Sequence, residues 1–336
     1  MKVGVFYPSR IPLSACNYID NVISELANKN VELLLFAEKE PIPTSVDIYW
    51  DPRSMGGGAP YKRFMTSEKP LVVTVHGASP FSLAAKEHFS NVRSALKAQY
   101  LKIHHLYKWR QFRHRSAAFI TVSAYGKWEI SKYLRLDEAR INTVWHGVDL
   151  DTFNPGLVDK ASRHYFLHVP QYQPRKNVDR IIEAYAKLSV ANKPVLVAVV
   201  PGYPQSASVP KGIELIRTPK DKQELADLYR GAVAFVFPSL HETLGMPIVE
   251  AMASGSPVIT SNVTACPEVA GDAALLVNPR SVDDIAAAMA RLLADESLRE
   301  SLREKGLARA QQFTWQHCAE KHLEVFERAI REASNP

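Results

Sequence analysis

What the 336-residue sequence has little of narrows its class first. Cysteine is scarce: Cys16, Cys266 and Cys318 are odd in number and widely spaced, which fits neither a disulfide framework nor zinc-ligand spacing. Long apolar runs are missing as well. None approaches the ~18 residues needed to span a bilayer, and the opening MKVGVFYPSR has no positive stretch followed by a long apolar one. Neither a spanning helix nor a secretion signal is expected. Repeats and low-complexity tracts are absent. Acidic residues are absent from one stretch, with none between Glu87 and Glu129. These absences predict a cytoplasmic chain whose membrane contact is at most peripheral, at the inner face.

What is there suits a soluble globular protein. With 46% apolar and 23% charged residues the chain has the composition of a soluble fold, and its length calls for two cores rather than one. Strand candidates alternate with helical stretches throughout: KVGVFY, VELLLFA, VDIYW, PLVVTVH, AFITVS and INTVWH, then HYFLHV, KPVLVAVV, IELI, VAFVFP, SPVIT and ALLV. That alternation predicts an α/β protein with two Rossmann-like, doubly wound parallel sheets. The boundary is expected in HGVDLDTFNPG, where His146, Gly147, Asn154, Pro155 and Gly156 interrupt the periodicity. Residues 1–153 form the expected first domain, and they hold the whole net charge of +6, with 20 Lys plus Arg against 14 Asp plus Glu.

In open parallel sheets ligands bind beyond the carboxyl ends of the strands, so those loops carry the functional signal. HETLGMPIVEAMASGSPVI, residues 241–259, places Glu242 before a helix and Glu250 inside it, with seven residues between. Ile248, Val249, Met252 and Ala253 make the apolar stripe, so Glu250 lies off it. A carboxylate complementing the helix dipole is the bland explanation. The sharper one is a ligand site: the amides around Leu244 and Gly245 can hold a phosphate, and a carboxylate has two oxygens for the vicinal hydroxyls of a ribose.

The segment FPSLHETLGMPIVEAMASGSPVITSNVTACPEVAGDAALLVNP, residues 237–279, resembles the donor-binding core of retaining GT-B glycosyltransferases of family four, the glycosyl transferases group 1. QPRKNVDRIIEAY at 173–185, ITVSAYGKWEI at 120–130 and INTVWHGVDLDTF at 141–153 resemble the family too. The resemblance implies two domains facing a central cleft: an acceptor domain over 1–153, a donor domain over 154–314, and a final helix, 315–336, returning toward the first. It implies that Glu250 holds the ribose and that Glu242 faces the transferred sugar. Thr243, Leu244, Gly245 and Met246 line the nucleotide, Arg175 and Lys176 grip the diphosphate, and His76 reaches the donor sugar. Cations there suit the chemistry, because the departing nucleoside diphosphate gathers negative charge. A strand-end structural role for His76 and a solvated helix start for Arg175 and Lys176 are the competing readings.

The implied activity is a retaining hexosyl transfer from a UDP-sugar or GDP-mannose to a glycan or lipid-linked acceptor, in polysaccharide or glycoconjugate synthesis, with no cofactor. A nucleotide-sugar-binding protein or an epimerase on the same fold is the alternative, and nucleic acid is not expected as a partner. A metal is also unnecessary: Asp149 and Asp151 lie in the interdomain segment, and Asp151 is expected to cap a turn. Three features depart from the family. PSRIPLSACNYID replaces its Gly-Gly loop, so Arg10, Ser14 and Asn17 are candidates for the phosphate or acceptor loop. Pro170 and Gln171 stand where others have Gly-Arg. Gly56, Gly57 and Gly58 precede no helix pattern and are expected to form a mobile loop. Finally, KAQYLKIHHLYKWRQFRHR sets Lys97, Lys102, Lys108, Arg110, Arg113 and Arg115 among Tyr107, Trp109 and Phe112. It is expected to meet an anionic acceptor or membrane surface; a solvated helix face is the alternative.

Overall fold

The structure, a computed structural model, describes residues 1–84, 87, 92–156, 165–190, 192–204, 210–216 and 219–334. The chain divides into two units. Unit 1 comprises Met1–Leu83, Val92–Gly147 and Thr314–Pro336, and unit 2 comprises Ala84–Asn91 and Val148–Phe313.

Unit 1 is built on six parallel strands: β1 (Lys2–Phe6), β2 (Glu32–Phe36), β3 (Ile48–Ser54), β4 (Leu71–Val75), β5 (Ala118–Thr121) and β6 (Ile141–Thr143). They lie in the order β2-β1-β3-β4-β5-β6. Its helices are α1 (Leu13–Ala27), a short α2 (Ser79–Ser82), α3 (Val92–Arg115) and α4 (Ala124–Leu134), together with the last helix of the chain, over residues 315–334. Strand residues alternate between faces, and the two cores follow that period. Val3, Val5, Ile48, Trp50, Val72 and Ile120 pack against α1 and the terminal helix through Ile19, Val22, Val325 and Phe326. Phe6, Tyr49, Leu71, Val73, Val75 and Phe119 pack on the other face against Trp109 and Phe112 of α3 and Ile130 and Leu134 of α4. Gly4 is required by that packing, since a Cβ there would lie 2.7 Å from the Tyr49 ring.

Unit 2 repeats the plan with β7 (Tyr165–His168), β8 (Val195–Val199), β9 (Ile213–Ile216), β10 (Ala232–Phe237), β11 (Val258–Ser261) and β12 (Ala274–Val277). These are again all parallel, in the order β12-β11-β10-β7-β8-β9. Its helices are α5 (Val178–Lys187), α6 (Lys222–Arg230), α7 (Met246–Ala253), α8 (Cys266–Ala270), α9 (Val282–Ala294) and α10 (Glu296–Ala310), so the terminal helix Trp315–Ser334 is α11. Local chemistry starts several of them. Asp221 accepts from Glu224 N at 2.8 Å before α6, Ser281 accepts from Asp284 N at 3.1 Å before α9, and Asp295 accepts from Leu298 N at 2.8 Å before α10. From β7 the chain runs outward through β8 and β9, then returns to place β10 on the other side of β7. The loops after β7 and β10 therefore flank a topological switch point, where an open parallel sheet leaves a crevice.

All twelve strands fall where the apolar runs predict them. Two local expectations are corrected. β3 continues past Trp50 to Ser54, with its pairing to β4 irregular between Asp51 and Ser54, because Pro52 cannot donate to the ladder. The glycine run after it is packed: Trp109 Nε1 donates to Gly57 O at 2.8 Å, and a Cβ on Gly57 would meet the Phe81 ring at 2.7 Å.

Candidate functional site

Arg175 and Lys176 sit on a 3₁₀ turn, Pro174–Lys176, between β7 and α5, and Glu242 lies in the loop between β10 and α7. The switch point brings these loops together. Leu240 N donates to Arg175 O at 2.8 Å, and Lys176 Nζ reaches Glu242 Oε1 at 2.6 Å. Arg175 Nη1 lies 3.6 Å from Glu242 Oε2 and donates to His241 O at 3.3 Å. The carboxylate is fixed by its own backbone as well: Glu242 N donates to Thr264 Oγ1 at 3.1 Å, and Ala265 N to Glu242 O at 3.2 Å.

Only 6% of Glu242 is exposed. Burial by itself would raise its pKa, but Lys176 and Arg175 outweigh burial and hold it below the usual carboxylate value. Burial pushes the Lys176 ammonium the other way, downward, against the pull of Glu242. Two cations face one carboxylate, which leaves a positive excess. Beside it stands the amino end of α7, with no acidic residue in its first turn and Gly245 as its N-cap at φ 95°. Thr243, Leu244, Gly245 and Met246 form that entry, with Leu244 buried. A Cβ on Gly245 would lie 3.2 Å from Ile248 Cδ1, so the left-handed turn and the close approach both favour glycine. The place is suited to an anion.

Glu250 is the fifth residue of α7 and accepts from Tyr229 Oη of α6 at 3.1 Å. Burial raises its pKa to about 7, Tyr229 and Lys222 opposing only in part. A glutamate that only complemented the helix dipole would have its carboxyl held low, because the helix end favours the ionised form. This one is held partly protonated at neutral pH, poised to accept from hydroxyl groups when it ionises.

In unit 1, His76 follows β4. Its backbone N–H donates to Ser54 O and its Nε2–H to Pro52 O, each at 2.8 Å, which leaves Nδ1 as its acceptor. Burial lowers its pKa to about 4, so the ring is neutral. Its ring centroid is 4.7 Å from that of Tyr18 and 5.3 Å from that of His146. Arg10 and Ser14 are exposed and Asn17 half-buried, around the amino end of α1 after β1.

The α3 residues divide by face. Lys108 and Arg110 are exposed, Lys102 lies 5.8 Å from the centroid of the Phe81 ring, and Arg113 Nε donates to Leu134 O at 3.0 Å. The side chain of Lys97 lies outside the described residues. Trp109 and Phe112 are corrected from surface to core, being 0% and 2% exposed, because they are the side chains that seal α3 onto the sheet. In the connecting segment the capping aspartate is Asp149 rather than Asp151: Thr152 N and Oγ1 donate to its two oxygens at 3.2 and 2.8 Å.

Sequence reasoning missed three contributors. Asn177, at φ 67°, donates to Pro238 O at 2.9 Å and Pro279 O at 2.6 Å, tying the loop after β7 to those after β10 and β12. Its place between PRK and a helix was the available signal, since asparagine tolerates the left-handed region. Tyr229 and Thr264 carry no local mark, because their partners are 21 and 22 residues away.

Two family models meet within the chain: Glycosyltransferase Family 4 over residues 17–152 and Glycosyl transferases group 1 over residues 153–309. Among curated relatives, the O-antigen chain mannosyltransferase B of Escherichia coli is 36% identical over 177 residues, 49% of this chain and 46% of that protein. The MMP alpha-(1->4)-mannosyltransferase of Mycolicibacterium hassiacum is 32% identical over 223 residues, 63% of this chain and 54% of the relative. The chain thus spans about half the length, or less, of the curated relatives it matches. Among solved structures, the sucrose-phosphate synthase of Thermosynechococcus elongatus superposes with a TM-score of 0.75 at 16% identity, over 98% of this chain and 99% of that one. Anabaena HepE in complex with UDP superposes with 0.73 at 14%, over 98% and 100%. Both likenesses show the GT-B fold.

Proposed function

We propose that this chain, which belongs to the family-four glycosyltransferases of GT-B fold, moves a hexose from a nucleotide diphosphate sugar to a glycan or lipid-linked acceptor with retention at the anomeric carbon. One observation carries the reading: Arg175, Lys176 and Glu242 converge at the switch point of the second sheet, beside an acid-free helix amino end and one turn from Glu250. Such a constellation suits a diphosphate on the cations and amides, a ribose on Glu250 and a sugar against Glu242. As the glycosidic bond to phosphate breaks, electrons pass to the leaving oxygen, and Arg175 and Lys176 stabilise the growing charge. The acceptor hydroxyl adds to the same face of the anomeric carbon, and its proton goes to the leaving phosphate.

No divalent ion is needed in this scheme, since Arg175, Lys176 and backbone amides supply the positive charge. The relatives named above are mannosyltransferases, which favours a mannosyl donor and makes GDP-mannose the first compound to test against UDP-hexoses. Calorimetric titration of a nucleotide-sugar panel, with and without chelator, tests donor and metal together. Proton NMR of the product reports the anomeric configuration. Absence of binding by every nucleotide sugar, or epimerised donor without transfer, overturns the proposal; loss of activity with chelator overturns its metal-free form.

A further inference from the structure

Unit 2 holds a cavity of about 390 Å³, within the ~300–1,000 Å³ of small-molecule sites. The turn after β7, the start of α5 and the loops after β10 and β12 line it, together with Glu87, which belongs to this unit although it precedes α3 in the chain. Pro174 and Leu240 supply apolar wall. Four charged side chains supply the rest: Glu87, Asp179, Arg180 and Arg280. Arg280 donates from Nε and Nη2 to Glu87 Oε1 at 3.1 and 2.8 Å, and from Nη2 to Oε2 at 2.9 Å. Arg180 Nη1 donates to Asn177 Oδ1 at 2.8 Å. Because Asn177 is itself tied to Pro238 O and Pro279 O, this side of the cavity is pinned to the loops after β10 and β12. Pro174 begins the turn that carries Arg175 and Lys176, so the cavity adjoins the place assigned to the diphosphate. Neither Arg180 nor Arg280 has a part in that assignment.

We propose that this cavity is a saccharide site, which holds a neutral hexose unit of the acceptor glycan beside the turn bearing Arg175 and Lys176. Charge selects that class of ligand. Two arginines meet two carboxylates, so the walls carry no net charge and match a ligand that has none. A phosphate would be drawn by the arginines and by the start of α5, yet Asp179 in that first turn and Glu87 on Arg280 already supply the negative charge. A lipid chain would desolvate four charged groups and give them no partner, which is costly. Sugar hydroxyls both donate and accept. Neighbouring ones suit paired groups, since a carboxylate has two oxygens to accept with and a guanidinium has a fork of donors. Pro174 and Leu240 suit the C–H face of the ring. Naming the saccharide as acceptor rests on the transfer proposed above; binding of a neutral saccharide by the cavity does not.

The test is saturation-transfer NMR of the full chain with α-linked oligosaccharides of mannose, glucose and galactose, from single hexoses to tetrasaccharides. Signal is expected from at least one of these neutral series, and inorganic phosphate should not displace it. Arg180→Ala with Arg280→Ala should weaken that binding by about tenfold or more, as losing hydrogen bonds to charged groups does. Affinity for nucleotide sugars, measured by calorimetry, should stay at the wild-type value. Circular dichroism identifies a double variant that fails to fold, and in that case Asp179→Ala, at an exposed position, carries the same expectation. No signal from any neutral series, displacement by inorganic phosphate, or binding indifferent to both the double variant and Asp179→Ala overturns the proposal. So does an equal loss of saccharide and nucleotide-sugar binding, which would make the cavity part of the donor site. A bound oligosaccharide that is not extended when donor is supplied overturns the acceptor assignment alone. Failure of every nucleotide sugar to bind overturns the transfer, while the NMR result decides the saccharide site by itself.

Discussion

Glu250→Gln should make the ligand-free protein more stable in neutral and alkaline solution. In the folded chain burial holds the carboxyl at about 7, against 4.5 for the unperturbed group. Below pH 4.5 both states are protonated and the glutamate costs nothing. Between 4.5 and 7 the unfolded chain ionises while the folded one keeps its proton, so stability declines as pH rises through the folded pKa. Above 7 the full difference is felt, and at about 1.4 kcal/mol per unit it amounts to ~3.5 kcal/mol. That figure is a ceiling, because Glu250 is half-buried rather than enclosed. Glutamine keeps the size and an acceptor for Tyr229 Oη but cannot ionise. The advantage of the variant should therefore be small at pH 4.5, grow across the interval, and level off above pH 7.5.

Urea unfolding at a series of pH values, followed by circular dichroism, measures this. Tryptophan fluorescence does not serve, since Trp50, Trp109, Trp128, Trp145 and Trp315 all lie in unit 1 and Glu250 lies in unit 2. A difference between variant and wild type that stays constant from pH 5 to 8, or that grows toward acid, would refute the reasoning. The same substitution should weaken donor binding at pH 8 by ~1–3 kcal/mol, as expected for a lost charge-assisted hydrogen bond, so stability and affinity should move in opposite directions.

Arg175→Ala should weaken binding of both the donor and the free nucleoside diphosphate by more than Gln171→Ala does, and leave the bare nucleoside almost unaffected; calorimetry showing equal losses for nucleoside and diphosphate contradicts the assignment. Glu242→Ala should lower turnover more than diphosphate affinity, and should also lower the melting temperature, because breaking a buried pair costs ~3–5 kcal/mol; normal turnover in a folded variant rules out a sugar contact. Asn177→Gly retains the left-handed backbone but loses the bonds to Pro238 and Pro279, each costing ~1–3 kcal/mol; faster hydrogen exchange in the loops after β7 and β10 is the expected readout. Tyr18→Phe removes the 2.6 Å hydrogen bond to His322 and should destabilise unit 1 by ~1–2 kcal/mol, here visible in tryptophan fluorescence.

The sequence by itself determined the elements. Apolar runs of strand length, caps such as Asp221 and Ser281, and glycines such as Gly245 act over a few residues, so twelve strands and the loops at their ends could be read without knowing where the chain goes next. The spacing of Glu242 and Glu250 was legible for the same reason. Tertiary structure decided which loops meet. Lys176 and Glu242 are 66 residues apart, and only the placement of β10 beside β7 converts two ordinary loops into one charged site. It also decided the phase of α3. Apolar and aromatic residues occur on both sides of that helix, so its periodicity cannot say which side is inward; the sheet takes Trp109 and Phe112 and leaves Ile103 and Tyr107 outside. The protonation of Glu250 is of the same kind, because a pKa depends on what surrounds the carboxyl, and Tyr229 comes to it from another helix.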